Sequence, residues 1–462
     1  MWEGHRDGVT RPGQAQSLVV GPGQVTMEIT PESQCVNTTA SLSVFQGTPL
    51  RLMSHQWVYN DEYNKDPNPE KMYLGSREYF AEDGEVWTLP VVRKVHRQIL
   101  NDPTLCHDDI SVLGQSEFNR VSTALILGNE SIAIVEKRAD SIQVPGGNGA
   151  LFLVAQFLKR WFTITDPLSP AVYVSEPCWE THVFTFQGAG FTDIRRYHYW
   201  DHEKLCLAIP QWLDDMENAP EYSIIVLQVA AHWPTAMDPT PAEWRQIAEV
   251  MKRKRLFPFF FVTAQGLATG DLNKDAFPVR HFVTERFELL CAQSYSKNFG
   301  LCDERVGSLT IVSRDNPSLI RIRSQLMLAA RCTWSAPPHL GARIVATILN
   351  NPAFFAEWQA NLRSMAERLM LTREKLAEEL RTLGTLRPLN HIRRQIGLYM
   401  FADFKDSEIM YLKKRRHIYL TSIGQINMSL MNNQNLSYIA RCISEAVQSG
   451  LETAETAQPA EL

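Results

Sequence analysis

Leu289-Leu290-Cys291-Ala292-Gln293-Ser294-Tyr295-Ser296-Lys297-Asn298-Phe299-Gly300 is an apolar run that ends in two hydroxyls, a lysine and a glycine. Leu289–Gln293 has the near-continuous apolar character of a strand covered on both faces, as in a parallel sheet. Lys297 falls just past the C-terminal end of that strand. Burial at such a place lowers an amine's pKa and frees it as a nucleophile toward an aldehyde cofactor. The plain alternative is a solvated loop lysine, and one lysine does not decide between them.

Similar runs lie on either side, at Ala171–Ser175, Tyr222–Val229, Leu256–Phe261 and Ser308–Val312. Helical stretches separate them. In one, Thr240-Pro241-Ala242-Glu243 offers an N-cap threonine, a proline at the first helical position and a capping-box glutamate. Trp244, Ile247, Ala248 and Met251 then make an apolar stripe. The alternation predicts an α/β fold. Past Pro352 the pattern changes. A long helix is predicted over Phe354–Leu383, strands at Ile396–Phe401 and Ile418–Leu420, and a last helix over Asn435–Gln448, which together suggest a second, smaller domain. Residues 1–42 are rich in Gly, Pro, Ser and Thr and read as a disordered tail. Leu451–Leu462 reads as another tail.

Composition narrows the function classes. The 462 residues carry a formal net charge of −5, which argues against nucleic-acid or anionic-membrane partners. No apolar run approaches a membrane span. Eight scattered cysteines form no C-x-x-C pair, so zinc ribbons and redox motifs are not expected and no metal site is assigned. The first residues lack a signal-peptide apolar core, and a cytoplasmic location is the simplest expectation.

Three further motifs bear on chemistry. Pro145-Gly146-Gly147-Asn148-Gly149 precedes a helix with an apolar face at Leu151, Val154, Phe157, Leu158 and Trp161. Exposed N–H groups at a helix start suit a phosphate, although glycine loops are more often plain turns. Arg305 can clamp a phosphate through two parallel bonds, or sit in a surface ion pair. Trp179, in Pro177-Cys178-Trp179-Glu180-Thr181-His182, can stack on a planar ring or simply pack in the core.

Together these motifs resemble the aspartate aminotransferase family, cytosolic type. The resemblance runs from about Ser43 to Val447. It includes Val91–Val95, Tyr197–Asp201, Glu217–Pro220, Cys291–Leu301 and Thr333-Trp334-Ser335. It implies a fold-type I transferase dependent on pyridoxal 5'-phosphate (PLP). The large domain, over residues 87–363, would hold a mainly parallel seven-stranded sheet between helices. A smaller α/β domain would be built from 43–86 with 364–450. It also implies a homodimer acting on a small dicarboxylic amino acid or oxo acid, transaminating between L-aspartate and 2-oxoglutarate. By the same resemblance, Lys297 holds PLP covalently and shuttles a proton. Gly147, Asn148, Ser294, Ser296 and Arg305 contact its phosphate end, Trp179 stacks on its ring, and Arg331 reaches a neighbouring subunit's substrate. Asn148 stands where the family has threonine.

Other positions depart from the family. Phe261 replaces the aspartate that keeps the ring nitrogen protonated, and an apolar neighbour disfavours that charge. Ala264 and Trp233 replace the tyrosine and asparagine at the phenolic oxygen. Gln425 replaces the arginine of the α-carboxylate, Asp109 a tyrosine, Arg77 a glycine, and Ala336 an asparagine. Arg77 is a candidate for a compensating carboxylate contact. Three readings remain open at the level of sequence. One is an aspartate-type aminotransferase impaired at these positions. Another is a degenerate, non-catalytic relative acting as a dimerisation or binding partner. The third is a different PLP reaction, for which no second acid/base stands out.

Overall fold

The computed structural model of the chain describes residues 43–45, 47–49, 61–103, 111–162, 170–387, 389–421 and 423–456. The expected tail over 1–42, Asp109 and the last six residues lie outside them. Two compact units are separated at Pro69 and Glu70. In the first, residues 61–65 are helical. The second holds the strands and helices that build the candidate site.

Its centre is a seven-stranded sheet. In chain order the strands are β1 (Ala139–Pro145), β2 (Val172–Glu176), β3 (Ile194–His198), β4 (Ile224–Val229), β5 (Phe257–Val262), β6 (Leu289–Ser294) and β7 (Val306–Val312). Their spatial order is β1-β7-β6-β5-β4-β2-β3. β3, β2, β4, β5 and β6 pair in parallel. The five apolar runs read as strands are all present, but β7 is antiparallel to both β6 and β1. The reason is chain length. Only residues 295–305 separate β6 from β7, too few for the crossover that a parallel neighbour requires. Sequence reading passed over the two edge strands. β1 carries Asp140, Ser141 and Gln143, and β3 carries Arg195 and Arg196, so neither shows a continuous apolar run.

Helices cover both faces. The glycine loop is itself the first turn of helix α1 (Gly146–Trp161), whose Leu151, Val154 and Leu158 are buried. Helix α2 (Pro241–Arg253) has the expected capping box, Thr240 accepting from the Glu243 N–H while Glu243 accepts from the Thr240 N–H at 2.6 Å. Helix α3 (Asn316–Thr333) leads to helix α4 (Pro352–Thr382), which matches the predicted long helix within two residues. Beyond α4 come two short strands, β8 (Tyr399–Phe401) and β9 (Gln425–Asn427), paired antiparallel. Met72–Tyr73 pairs in parallel with Ile418–Tyr419. Helix α5 (Leu436–Thr456) continues past Leu451, where a tail was expected. Among the described residues no helix is long and apolar enough to cross a membrane.

One backbone approach sets the start of α1 against the head of β7. A Cβ on Gly307 of β7 would lie 2.5 Å from the Gly146 carbonyl carbon, so a side chain there collides with main chain that cannot swing away. Gly307→Ala is therefore expected to lower the unfolding free energy by about 1–3 kcal/mol, the usual cost of overpacking. Urea denaturation followed by far-UV circular dichroism measures it, and an unchanged midpoint would contradict this account.

Candidate functional site

The segment after β6 is fixed on both sides of Lys297. Tyr295 is fully buried, edge-on to Phe118 at 5.5 Å. Asn298, also buried, donates to the Gln265 carbonyl at 3.0 Å, and its own carbonyl accepts from the Trp358 indole at 2.8 Å. Phe299 stacks on Trp358 at 4.5 Å. With its neighbours locked, the half-buried Lys297 side chain has a defined origin. Its Nζ donates to the Arg77 carbonyl at 2.6 Å and to the Tyr399 hydroxyl at 3.3 Å. Burial pushes the amine down from the ordinary lysine range to about 8, the nearby Arg77 charge adding to the effect while Cys302 and Glu78 oppose it.

A candidate anion cradle lies at the start of α1. The place where a Gly146 Cβ would stand is 2.9 Å from Arg305 Nη2, so the guanidinium lies against the glycine turn. The Arg305 Nη1 donates to the Cys302 carbonyl at 2.8 Å. At Gly147 the corresponding place is 3.1 Å from the Phe261 ring and 3.3 Å from the Ser294 Cβ. Ser294 donates to Ser296 at 3.2 Å. A helix start without a side-chain cap, a guanidinium and two hydroxyls thus meet in one small region. Asn148 is exposed in the same helical turn.

The neighbouring wall is aromatic. Trp179, His182 and Phe261 form a triangle, with centroids 5.3 Å, 5.7 Å and 5.0 Å apart. Burial drives His182 down to about 3, so its imidazole is neutral. Among the described residues its buried Nε2 has no hydrogen-bond partner. One of the two rings packed against that imidazole is Phe261, which neither donates nor accepts a strong bond. Ala264 is buried and likewise offers no polar group.

Trp233 meets the ring of Tyr399 edge-on at 4.7 Å. Gln425 is completely buried, and its amide N–H donates to the Pro234 carbonyl at 2.6 Å. Among the described residues its Oε1 has no partner. Arg77 is exposed and presents its carbonyl to Lys297. Arg331 stands apart. It is exposed in the last turn of α3, and among the described residues no hydrogen bond or ion pair ties it to this cluster.

Sequence reading missed two members of the site. Tyr399 lies in the apolar run read only as a strand, where an aromatic residue signals core. Asn427 lies two residues after Gln425, and its amide donates to the Ser76 carbonyl at 3.0 Å and the Glu78 carbonyl at 2.7 Å. Its place next to a substituted arginine was the available signal.

A lysine at the end of a sheet strand, beside a glycine-opened helix and an arginine at the head of the next strand, defines the fold-type I class of PLP-dependent transferases. The family described as Aminotransferase class I and II matches residues 69–443, and the chain belongs to that family. It is 47% identical over 405 residues to the cytoplasmic aspartate aminotransferase of Gallus gallus, covering 88% of this chain and 98% of that one. It is 39% identical to the putative cytoplasmic aspartate aminotransferase 2 of Bos taurus, with 88% and 98% covered. Among solved structures, the Saccharomyces cerevisiae cytoplasmic aspartate aminotransferase superposes with a TM-score of 0.84 at 31% identity, over 88% of this chain and 99% of that one. An aromatic-amino-acid aminotransferase of Burkholderia pseudomallei, covalently bound to pyridoxal phosphate, gives 0.83 at 30% identity, over 88% and 100%.

The residues present fit PLP at its phosphate and aldehyde ends, since the cradle supplies charge and donors and Lys297 supplies an amine with a lowered pKa. The neutral fraction of an amine grows as pH rises through its pKa. Capture of PLP by Lys297, trapped with borohydride and read by peptide mass spectrometry, should therefore be half-maximal near pH 8. Ordinary surface lysines should lag by about two units. A Lys297 midpoint near theirs would show that the amine is not depressed.

Proposed function

We propose that this chain is a PLP-dependent aminotransferase of the aspartate type whose chemistry is slowed by its own substitutions. The carrying observation is the Lys297 amine, held at the end of β6 between two oxygen acceptors and pushed down to about 8. Arg305, the N–H groups of the Gly146 turn, Asn148, Ser294 and Ser296 would hold the cofactor phosphate, with Trp179 and Trp233 beside its ring. When bound, PLP supplies an aldehyde for amino groups and a conjugated ring that spreads negative charge. Lys297, half neutral at pH 8 and more so above it, serves as the base for the substrate's Cα proton. Phe261 lends that ring no negative charge, and losing one preorganised charge costs about two to three orders of magnitude in rate.

For the substrate we propose a small dicarboxylic amino or oxo acid, supported by the relatives' names and by Arg331. On α3, Ile320, Met327 and Leu328 are exposed apolar residues spaced so that they share a face with Arg331. Covering this face with a second copy would hide the apolar surface and deliver Arg331 to the other subunit's site. Arg77 is the candidate for the carboxylate contact that Gln425, bonded to Pro234, does not offer. A cytoplasmic setting and the division into a large and a small domain belong to the same reading.

Two measurements test it. Phe261→Asp combined with Gln425→Arg should raise the rate of aspartate transamination by about two orders of magnitude. The new carboxylate would also give the His182 imidazole a partner. A native rate already equal to that of the double variant would overturn the assigned cost of Phe261, and no activity in either protein would favour a non-catalytic binding role. For assembly, light scattering should report twice the chain mass for the native protein and the single-chain mass for Leu328→Asp. An unchanged mass in the variant would place the interface elsewhere.

A further inference from the structure

We propose that Tyr399 is a positioning residue for Lys297, its hydroxyl oxygen accepting one N–H of the amine so that the lone pair is left for the cofactor aldehyde. This rests on the reading of Lys297 given above. A neutral amine has two N–H bonds and one lone pair. The Arg77 carbonyl at 2.6 Å takes one N–H and the Tyr399 oxygen at 3.3 Å takes the other. Tyr399 has its own proton committed elsewhere, because its O–H donates to the Ser76 carbonyl at 3.1 Å. It therefore turns lone pairs, not a proton, toward Nζ. Burial holds the phenol well above its ordinary range, so it stays protonated whenever the amine is reactive.

The surrounding bonds keep this geometry. Buried Arg373 of α4 donates to the Tyr399 carbonyl at 2.8 Å and to the Gly397 carbonyl, fixing the start of β8. Across the ladder Tyr399 pairs with Asn427. That asparagine bonds the Ser76 and Glu78 carbonyls and so steadies the segment that supplies the Arg77 acceptor. The Trp233 edge meets the Tyr399 ring at 89° and limits its swing. A phenylalanine would satisfy the packing equally well, so the hydroxyl is the part with a role beyond core filling.

The test is the pH profile of PLP capture by the full-length chain, trapped with borohydride, in the native protein and in Tyr399→Phe. The groups acting on the amine besides Tyr399 are Cys302, Arg77 and Glu78, and all remain in the variant. An oxygen acceptor favours the ammonium over the neutral amine, so its loss should move the midpoint down by about half a unit. The plateau rate should fall about threefold or more, because the lone pair is no longer oriented. A merely structural role would lower the melting temperature and leave the midpoint in place. Should Tyr399→Phe melt lower, 3-fluorotyrosine at 399, a weaker acceptor of the same shape, should move the midpoint in the same direction by less. Native capture at Lys297 with identical midpoints and plateau rates in the variants overturns this inference alone. No native capture at Lys297 overturns the proposed function and this inference with it.

Discussion

The contact on which the site depends is made by main chain alone. Gly307 of β7 lets the chain at Gly146 cross directly over it, with no room for a methyl group between them. That crossing ends β1 and starts α1 above the head of β7. As a result the Arg305 guanidinium, two residues before Gly307, lies against the Gly146 turn. It also sets Gly147 against Phe261 of β5 and Ser294 of β6, so three strand ends and one helix start converge. Packing at this distance is all-or-none, since backbone atoms have no rotamers to yield.

On this frame the site is assembled from parts with opposite demands. The lysine end is polar and well provided, with Arg77, Tyr399, Ser76 and Asn427 forming one chain of hydrogen bonds. The wall formed by Trp179, His182 and Phe261 is the reverse. There, among the described residues, a buried imidazole nitrogen has no partner, and elsewhere the Oε1 of Gln425 is likewise unpaired. Buried polar groups are ordinarily satisfied, and both of these lie at or beside a position where the sequence departs from the family it resembles. In both cases the changed residue faces, or is itself, a position where the family carries a charge.

The asymmetry separates binding from reactivity. In the proposed function, holding an anion and reacting with an aldehyde fall to the glycine turn, Arg305 and Lys297, and these residues are present. Spreading developing negative charge into the ring would need its nitrogen protonated, and a phenyl group cannot supply the negative charge that would hold that proton. Under the proposed function, a protein of this kind would keep its cofactor anchor while losing speed.

Much of this was legible in the residues alone. The apolar runs announced the central strands, Thr240 and Glu243 announced a helix start, and the Ser294–Gly300 motif with Arg305 carried the family resemblance. These signals are local, because periodicity, capping and strand-end chemistry are written in neighbouring residues. Substitutions such as Phe261 and Gln425 were visible for the same reason. Tertiary structure alone decided the antiparallel placing of β7, the polar edge strands β1 and β3, and the partners of each substituted side chain. No local pattern could show that Tyr399 meets Lys297 across 102 positions of sequence, or that Gln425 turns to the Pro234 carbonyl. Those contacts exist because α4, through Arg373, carries β8 and β9 back to the end of the central sheet. The sequence determined which chemical groups this protein owns, and the return of the chain decided which of them touch.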